Sequence, residues 1–288
     1  MLVSLKEILQ IAEERKIAVG AFNCPNLESL EAIWDAAESL KLPVILQFAQ
    51  SHAPWMALER IGPVMMAAAK AMNVPVCVHL DHGETMDYVR QALDLGFTGI
   101  MYDGSTLPYD ENVRNTKLAV ELARANGASV EAELGSMGVR ESGSGDGSGE
   151  DDATKVYTDP AQAKAFVEET GIDALACSFG TTHGIYLKAP KLDFDVVREV
   201  RRLTGGIPVV MHGGSGVSAA DFHRAVDAGV RKINYFTYMD KDGGSAAARS
   251  IESLQSGAPV FFSTLSMAAR DAMRENIVQA MKEFAKLD

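Results

Sequence analysis

Eight short apolar runs alternate with amphipathic stretches along this chain of 288 residues. A short, continuous apolar run indicates a strand buried on both faces, and a helix after each strand indicates parallel pairing. Eight such units predict an α/β fold, a (β/α)8 TIM barrel, as one domain over residues 1–288. The predicted strands cover residues 18–22, 44–48, 76–80, 99–102, 129–133, 174–178, 208–211 and 232–235.

The stretches between these strands have helical periodicity, and most begin beside Ser, Asp or Pro or end in Gly. They cover residues 27–39, 61–72, 86–94, 113–126, 160–170, 194–203 and 219–228, and a further helix is predicted at 267–284. The barrel is therefore expected to carry extra C-terminal helices. An open doubly wound sheet is the alternative fold, although no glycine-rich dinucleotide turn follows the first strand.

One segment, at about residues 136–156, breaks the alternation with a run of glycine, serine and acidic residues. Such a composition cannot pack a core, so the segment is predicted to be mobile. At the carboxyl end of a barrel strand, a loop that closes over substrate is the favoured interpretation. A solvated linker is the alternative.

Composition excludes several classes of partner. The formal net charge of −12 disfavours nucleic acid, because phosphates would be repelled. No apolar run approaches the roughly 18 residues of a membrane span, and the first residues lack a signal-peptide pattern. The three cysteines are odd in number and form no Cys-x-x-Cys pair, which favours reduced thiols in a cytoplasmic protein.

Three histidines, His82, His183 and His212, lie at or just after the ends of predicted strands three, six and seven, and each precedes a glycine. Parallel barrel strands end on one face, so these imidazoles are expected to open onto a single mouth. Three neutral imidazoles and one open position are typical of a catalytic zinc site. A single histidine of this kind would more simply be a hydrogen-bonded core residue. The other histidines, His52 among them, are not expected to bind the metal.

The chain resembles the class II, zinc-dependent fructose-bisphosphate and tagatose-bisphosphate aldolase family over nearly its whole length, as a divergent member. The resemblance depends on the order and spacing of short segments that are weak one by one. Besides the histidine segments, these are Ala21-Phe22-Asn23, Met101-Tyr102-Asp103-Gly104-Ser105, Val130-Glu131-Ala132-Glu133-Leu134-Gly135, Lys191-Leu192-Asp193-Phe194 and Lys232-Ile233-Asn234.

The resemblance implies a metal-dependent, reversible retro-aldol cleavage of a ketose into dihydroxyacetone, or its phosphate, and an aldehyde. Such cleavage leaves an enediolate, which a Lewis acid can stabilise. The implied cofactor is Zn²⁺, with Co²⁺, Fe²⁺ or Mn²⁺ as substitutes and a monovalent cation also compatible. The implied ligands are His82, His183 and His212. The partner is a small sugar, and relatives are commonly homodimers or homotetramers.

The resemblance also assigns acid–base and substrate-binding roles. Asp81 would take the proton of the C4 hydroxyl, and Glu141, in the predicted mobile loop, would move the proton at C3. As alternatives, Asp81 would orient a histidine and Glu141 would be a solvated loop charge. Asp103 and Glu133 would hold a second ion or orient the ligands. The implied substrate contacts are Asn23, Gly184, Gly213, Ser215, Asn234 and Thr237.

The chain departs from the family pattern where relatives hold phosphate. Ala49 stands in place of a common serine, and Leu187 in place of a common lysine. In Tyr235-Phe236-Thr237-Tyr238, two polar positions have become aromatic. Because a phosphate dianion needs charge-assisted donors, we expect a different ketose: unphosphorylated, monophosphorylated or sulfonated.

Two other functions are compatible with the same residues. A metal-dependent sugar epimerase or isomerase would form the same enediolate without breaking a carbon–carbon bond. A non-catalytic subunit that only stabilises an active aldolase is the second alternative. Release of a triose product distinguishes cleavage from both.

Overall fold

The computed structural model describes residues 1–135, 157–182, 184, 190–255 and 257–287. In this part of the chain, eight parallel strands pair in chain order, and the last pairs with the first to close a barrel. The predicted (β/α)8 barrel is therefore confirmed. The strands are β1 (Val19–Asn23), β2 (Val44–Ala49), β3 (Val76–Gly83), β4 (Gly99–Tyr102), β5 (Ser129–Leu134), β6 (Ala174–Cys177), β7 (Val209–Met211) and β8 (Val230–Tyr235).

Helices surround the barrel and close one of its ends. They are α1 (Leu5–Arg15), α2 (Leu27–Leu40), α3 (Leu58–Ala71), α4 (Met86–Asp94), α5 (Tyr109–Ala125), α6 (Pro160–Thr170), α7 (Phe194–Leu203), α8 (Ala219–Ala228), α9 (Thr237–Glu252) and α10 (Phe262–Phe284). Helices α1 and α9 were not predicted as separate elements, and α10 begins earlier than the predicted 267–284. The extra C-terminal helices are present.

Local signals explain where the helices begin and end. Asp159 accepts hydrogen bonds from two backbone N–H groups at the start of α6, and Pro160 occupies the first helical position. The helix ends at Gly171, whose φ of 69° lies in the left-handed region that favours glycine. Ser218 caps α8 by accepting one hydrogen bond, from the backbone N–H of Asp221. These boundaries fix the lengths of the loops that lead to the barrel mouth.

Alternate residues of each strand face the barrel interior, and the others pack against the helices. In β3, Val78 and Leu80 lie in the layer between the barrel and the helices, whereas Cys77 belongs to a second apolar cluster inside the barrel. Leu5 and Ile8 of α1 join this second cluster. Helix α1 therefore closes the amino-terminal end of the barrel with an apolar plug.

The other half of the barrel interior is polar. Gln47, His79, Glu131 and Lys232 lie at inward positions of four strands and have no exposed surface. A buried charge is stable only when it is paired. Glu131 pairs with Lys232 and lies 3.4 Å from His79, whereas Gln47 donates to Asp81. The strands were predicted as short, continuous apolar runs, which did not anticipate a polar layer inside the barrel. It lies directly beneath the carboxyl ends of the strands.

The predicted mobile loop at 136–156 lies outside the described residues. Within the described part of the chain, no helix has an apolar stretch long enough to cross a bilayer. All three cysteines, Cys24, Cys77 and Cys177, are buried free thiols. Burial raises the pKa of Cys77 and of Cys177 to about 12, so both thiols stay protonated near neutral pH.

Candidate active site

Two of the predicted metal ligands lie side by side at the barrel mouth. His82 is near the carboxyl end of β3, and His212 directly follows β7. Nε2 of His82 and Nδ1 of His212 are 3.0 Å apart. The backbone of His82 has a φ of 44°, which is uncommon for a residue with a side chain. Such a conformation is typical of functional sites that the surrounding fold holds in place.

Each of these imidazoles also contacts a carboxylate through its other nitrogen. Nδ1 of His82 lies 2.6 Å from Oδ2 of Asp103, and Nε2 of His212 lies 2.8 Å from Oε1 of Glu131. A carboxylate accepts hydrogen bonds only, so both of these nitrogens carry protons. In neutral rings, the two nitrogens that face each other then both present lone pairs. A proton or a metal cation must lie between them to remove this repulsion.

A buried carboxylate points to the same place. Oε2 of Glu133 is buried without a hydrogen-bond partner among the described residues, 3.8 Å from Nδ1 of His212. Burial and the neighbouring Asp103 raise the pKa of Glu133 to about 8. Burial alone would lower the pKa of His82, but Asp81, Asp103 and Glu133 raise it to about 10. Without a metal, protons therefore neutralise part of this charge.

The donor set fits a divalent cation. At tetrahedral angles, two nitrogens bound to zinc would lie about 3.4 Å apart, close to the observed separation of the two imidazoles. The described residues hold two groups whose ligand atoms lie within 4.8 Å of one another: Asp81, His82 and His212, and His82, Asp103 and Glu133. Carboxylates on the outer nitrogens of metal-bound histidines are the usual means of orienting such ligands.

Asp81 is fixed by three side-chain amides. Asn23 and Gln47 donate to its Oδ2 at 3.0 and 3.2 Å, and Asn234 donates to its Oδ1 at 2.9 Å. Burial opposes ionisation, but the nearby His82 and Lys232 hold the pKa of Asp81 well below its ordinary value. Asp81 is therefore a carboxylate, with Oδ1 3.9 Å from Nε2 of His82. This carboxylate is close enough to the two histidines to accept a proton from a hydroxyl group bound beside them.

A buried ion pair beneath the site was not singled out from the sequence. Nζ of Lys232 lies 2.9 Å from Oε2 of Glu131 and donates to Oδ1 of Asn234 at 2.7 Å. Glu131 thus connects His212 to Lys232, and Lys232 connects to Asp81 through Asn234. The sequence did indicate a polar inner face for β5, because polar residues recur at every second position of Ser129-Val130-Glu131-Ala132-Glu133.

Replacing Glu131 by Gln should destabilise the fold strongly. The amide oxygen can still accept a hydrogen bond from His212, but the charge of the fully buried Lys232 loses its counter-ion. Removing one partner of a buried ion pair lowers the free energy of unfolding by about 3–5 kcal/mol. Urea unfolding would measure this loss. Glu111→Gln is the matched control, because its pair with Arg114 is exposed and should contribute less than about 1 kcal/mol. Equal losses in the two variants would contradict the prediction.

The residues assigned to substrate binding have different surroundings. Asn23 and Asn234 hold Asp81, as described. A Cβ atom on Gly213 would lie 2.3 Å from the Thr182 carbonyl oxygen, so only glycine fits between the loops after β6 and β7. Oγ of Ser215 accepts a hydrogen bond from Tyr238 N at 3.3 Å, which ties the loop after β7 to α9. Thr237 begins α9, and Gly184 has a φ of 88°.

Tyr235, the last residue of β8, and Phe236, which follows it, have different surroundings. Tyr235 is buried, and its ring packs edge-on against Phe22 and Phe284, between the barrel and α10. It therefore does not line the mouth. The two polar positions that have become aromatic are those of Phe236 and Tyr238, on either side of Thr237. Phe236 is half-buried and lies beside His52. Tyr238 is also half-buried, so both replaced positions stay candidates for altering the substrate pocket.

Three positions named in the sequence analysis, His183, Glu141 and Leu187, lie outside the described residues. The structure thus brings together His82, His212, Asp81, Asp103 and Glu133 at one end of the barrel.

Comparison with known proteins gives a consistent result. The family model described as class-II fructose-bisphosphate aldolase matches residues 3–288. The chain is 40% identical to a fructose-bisphosphate aldolase of Geobacillus stearothermophilus, over 98% of this chain and 96% of that protein. It is 37% identical to a probable fructose-bisphosphate aldolase of Bacillus subtilis, over 98% and 97%. The crystal structure of the YdjI aldolase from Escherichia coli K12 superposes with a TM-score of 0.86 at 34% identity, covering 99% and 97% of the two chains.

Proposed function

Since this chain belongs to the class II fructose-bisphosphate aldolase family and is thus a carbon–carbon lyase, we propose that it cleaves a ketose other than fructose 1,6-bisphosphate. The products would be dihydroxyacetone, or its phosphate, and an aldehyde. The observation that carries the cleavage chemistry is the pair of facing histidine nitrogens beside the ionised Asp81.

We propose that His82 and His212 hold a divalent cation, Zn²⁺ in the first place, together with His183. When bound, this cation supplies Lewis-acid stabilisation of the negative charge that cleavage leaves on the triose product. Asp103 and Glu131 fix the two imidazoles through their outer nitrogens. Glu133 supplies a further carboxylate next to the cation, as a ligand or as a counter-charge.

In the proposed reaction, Asp81 accepts the proton of the C4 hydroxyl. The bond between C3 and C4 breaks, its electron pair passes to C3, and C4 becomes the carbonyl carbon of the aldehyde. A proton delivered to C3, which we assign to Glu141, completes the triose product. Asn23, Gln47 and Asn234 hold Asp81 in one orientation, so little reorganisation is needed when the proton moves.

Two residues near Asp81 at the barrel mouth, Ala49 and Phe236, support the proposed change of substrate. Ala49 is buried and pairs in register with Asp81, so the position beside the carboxylate carries no hydroxyl donor. Phe236, at the exit of β8, adds an apolar ring. The glycine and serine after β7 keep a backbone able to bind an anion at the triose end. This asymmetry supports a ketose whose C1 end is phosphorylated or free and whose other end is not a phosphate.

A ketose panel tests this proposal. Fructose 1,6-bisphosphate, tagatose 1,6-bisphosphate, fructose 1-phosphate, fructose and a 6-sulfonated ketose 1-phosphate would be compared by kcat/KM for triose release. We expect one of the last three to exceed both bisphosphates by at least about tenfold. A wide preference for fructose 1,6-bisphosphate would refute the altered pocket but not the cleavage. Conversion to an epimer without triose would refute the cleavage itself.

We further propose that the protein is a cytoplasmic homodimer or homotetramer. Val260 and Phe261, just before α10, and Phe262, its first residue, are 51, 63 and 79% exposed. Neighbouring exposed apolar side chains are typical of subunit interfaces. Light scattering of the purified protein would give the subunit number, and Phe262→Ser should weaken the association.

A further inference from the structure

Three rings at the barrel mouth have no role in the reaction described so far. His52 ends a single 3-10 turn that follows β2, Trp55 lies one turn further on, and Phe236 follows β8. The imidazole of His52 stacks on the indole of Trp55 at 4.6 Å and 22°, and lies 4.9 Å from the ring of Phe236. We call His52, Trp55 and Phe236 the mouth cluster.

Backbone hydrogen bonds fix the mouth cluster beside Asp81. The carbonyl of His52 accepts from Trp55 N at 2.9 Å, which brings the two rings together. The neighbouring Gln50 accepts from Glu84 N at 2.9 Å through its side chain and so ties this turn to the chain after β3. Because β2 and β3 pair with Ala49 opposite Asp81, the turn begins next to the catalytic carboxylate. The cluster therefore lies beside Asp81, at the carboxyl ends of β2 and β8.

The cluster contains a polar atom without a partner. His52 is 7% exposed, and its Nδ1 has no hydrogen-bond partner among the described residues. Buried polar atoms are almost always hydrogen-bonded, so an exception points to a ligand or an ordered water. Burial lowers the pKa of His52, which makes the ring neutral near pH 7. A neutral imidazole suits a hydroxyl better than a phosphate dianion.

Trp55 covers His52 from the solvent side. Its indole is stacked on the buried imidazole, yet Trp55 itself is 63% exposed. A large aromatic ring that is mostly exposed contributes little to the core, and it offers an apolar face to the mouth. Because the indole is exposed on its solvent side, it can shift to admit a ligand to the buried Nδ1 of His52.

We propose that the mouth cluster binds the aldehyde half of the ketose, as an uncharged polyhydroxylated chain. The C–H groups of carbons beyond C4 pack against Trp55 and Phe236, and a hydroxyl hydrogen-bonds to Nδ1 of His52. This inference rests on the proposed function and names its substrate class: ketoses whose distal end carries neutral hydroxyls. The sulfonated and bisphosphorylated ketoses are thereby excluded.

The test uses the full-length protein in the condensation direction, with dihydroxyacetone phosphate as donor. The acceptors are glycolaldehyde, which supplies only one carbon beyond C4, D-glyceraldehyde and D-glyceraldehyde 3-phosphate. We expect the wild type to prefer D-glyceraldehyde to both others. In Trp55→Ala, the kcat/KM ratio of D-glyceraldehyde to glycolaldehyde should fall about 10-fold or more. Trp55→Phe keeps a ring and should hold the ratio within about threefold.

Matched controls separate recognition from folding. Val64→Ala removes an apolar side chain that is 40% exposed on α3, and His223→Ala removes an imidazole from α8. Both controls should keep the wild-type ratio. An equal loss for D-glyceraldehyde and glycolaldehyde in Trp55→Ala would overturn the inference and leave the proposed function intact. A wild-type preference for D-glyceraldehyde 3-phosphate would overturn the inference and the altered pocket, but not the aldolase chemistry. A wild type that joins neither aldehyde to the donor would overturn both.

Discussion

Replacing Asp81 by Asn is expected to lower kcat for cleavage by about 10²–10⁴-fold, the usual contribution of a positioned acid–base group. The amide cannot accept the C4 hydroxyl proton. It also turns an NH₂ group toward amides of Asn23, Gln47 or Asn234, all of which donate to this carboxylate. Steady-state triose release would measure the loss. Metal analysis of the same preparation should give the wild-type cation content.

A partial reaction distinguishes a proton-accepting role of Asp81 from a role in orienting the metal ligands. Exchange of the C3 proton of dihydroxyacetone phosphate with solvent deuterium needs the cation site but not the C4 hydroxyl, so it should persist in Asp81→Asn. Asp103→Asn is the contrasting variant, because Oδ2 of Asp103 contacts the outer nitrogen of His82, while its Oδ1 accepts hydrogen bonds from Ser105. It should weaken cation binding about 10–100-fold and recover activity in excess metal. If Asp81→Asn instead lost its cation and recovered with added metal, Asp81 would be an orienting residue.

Removing the divalent cation should abolish activity. His212→Ala deletes one of the two facing nitrogens and leaves Oε1 of Glu131 without this imidazole. We expect no bound metal and a loss in kcat of at least about 10³-fold, since Lewis-acid stabilisation supplies several kcal/mol. Element analysis and triose release would be measured together. His223→Ala again serves as the control.

His212 is fully buried, so its replacement by Ala also disturbs the packing. Chelation of the wild-type protein is a second test of the cation that leaves the packing unchanged. A chelator should remove activity, and Zn²⁺ or Co²⁺ should restore it. A cation that binds only the folded state stabilises it by about 2.7 kcal/mol at 100 times its Kd, so the Tm should also fall by several degrees. Full activity after complete removal of metal would contradict the whole account of the site.

The barrel could be predicted because its signal is repeated eight times. Each strand is apolar on its outer face, and each connection contains a helix. The convergence of His82 and His212 followed from the topology, since parallel strands end on one face. No distance information was needed for either inference.

The lower layer of the site could not be predicted in the same way. A lone charged residue such as Glu131 or Lys232 in an apolar run does not reveal its partner until the register of the closed barrel is known. The position of His52 depends on one irregular turn after β2, which no periodicity encodes. The adjacent Tyr235 and Phe236 resemble each other in sequence, yet one belongs to the packing layer and the other to the mouth.

The barrel separates two tasks between different strands. Groups that would perform the bond cleavage project from β3, β5 and β7 and are locked together by the ion pair of Lys232 and Glu131. The rings that face the rest of the sugar come from short connections after β2 and β8. New specificities could therefore evolve, or be engineered, by exchanging a few residues at 50–55 and 236, with the reactive machinery inherited unchanged.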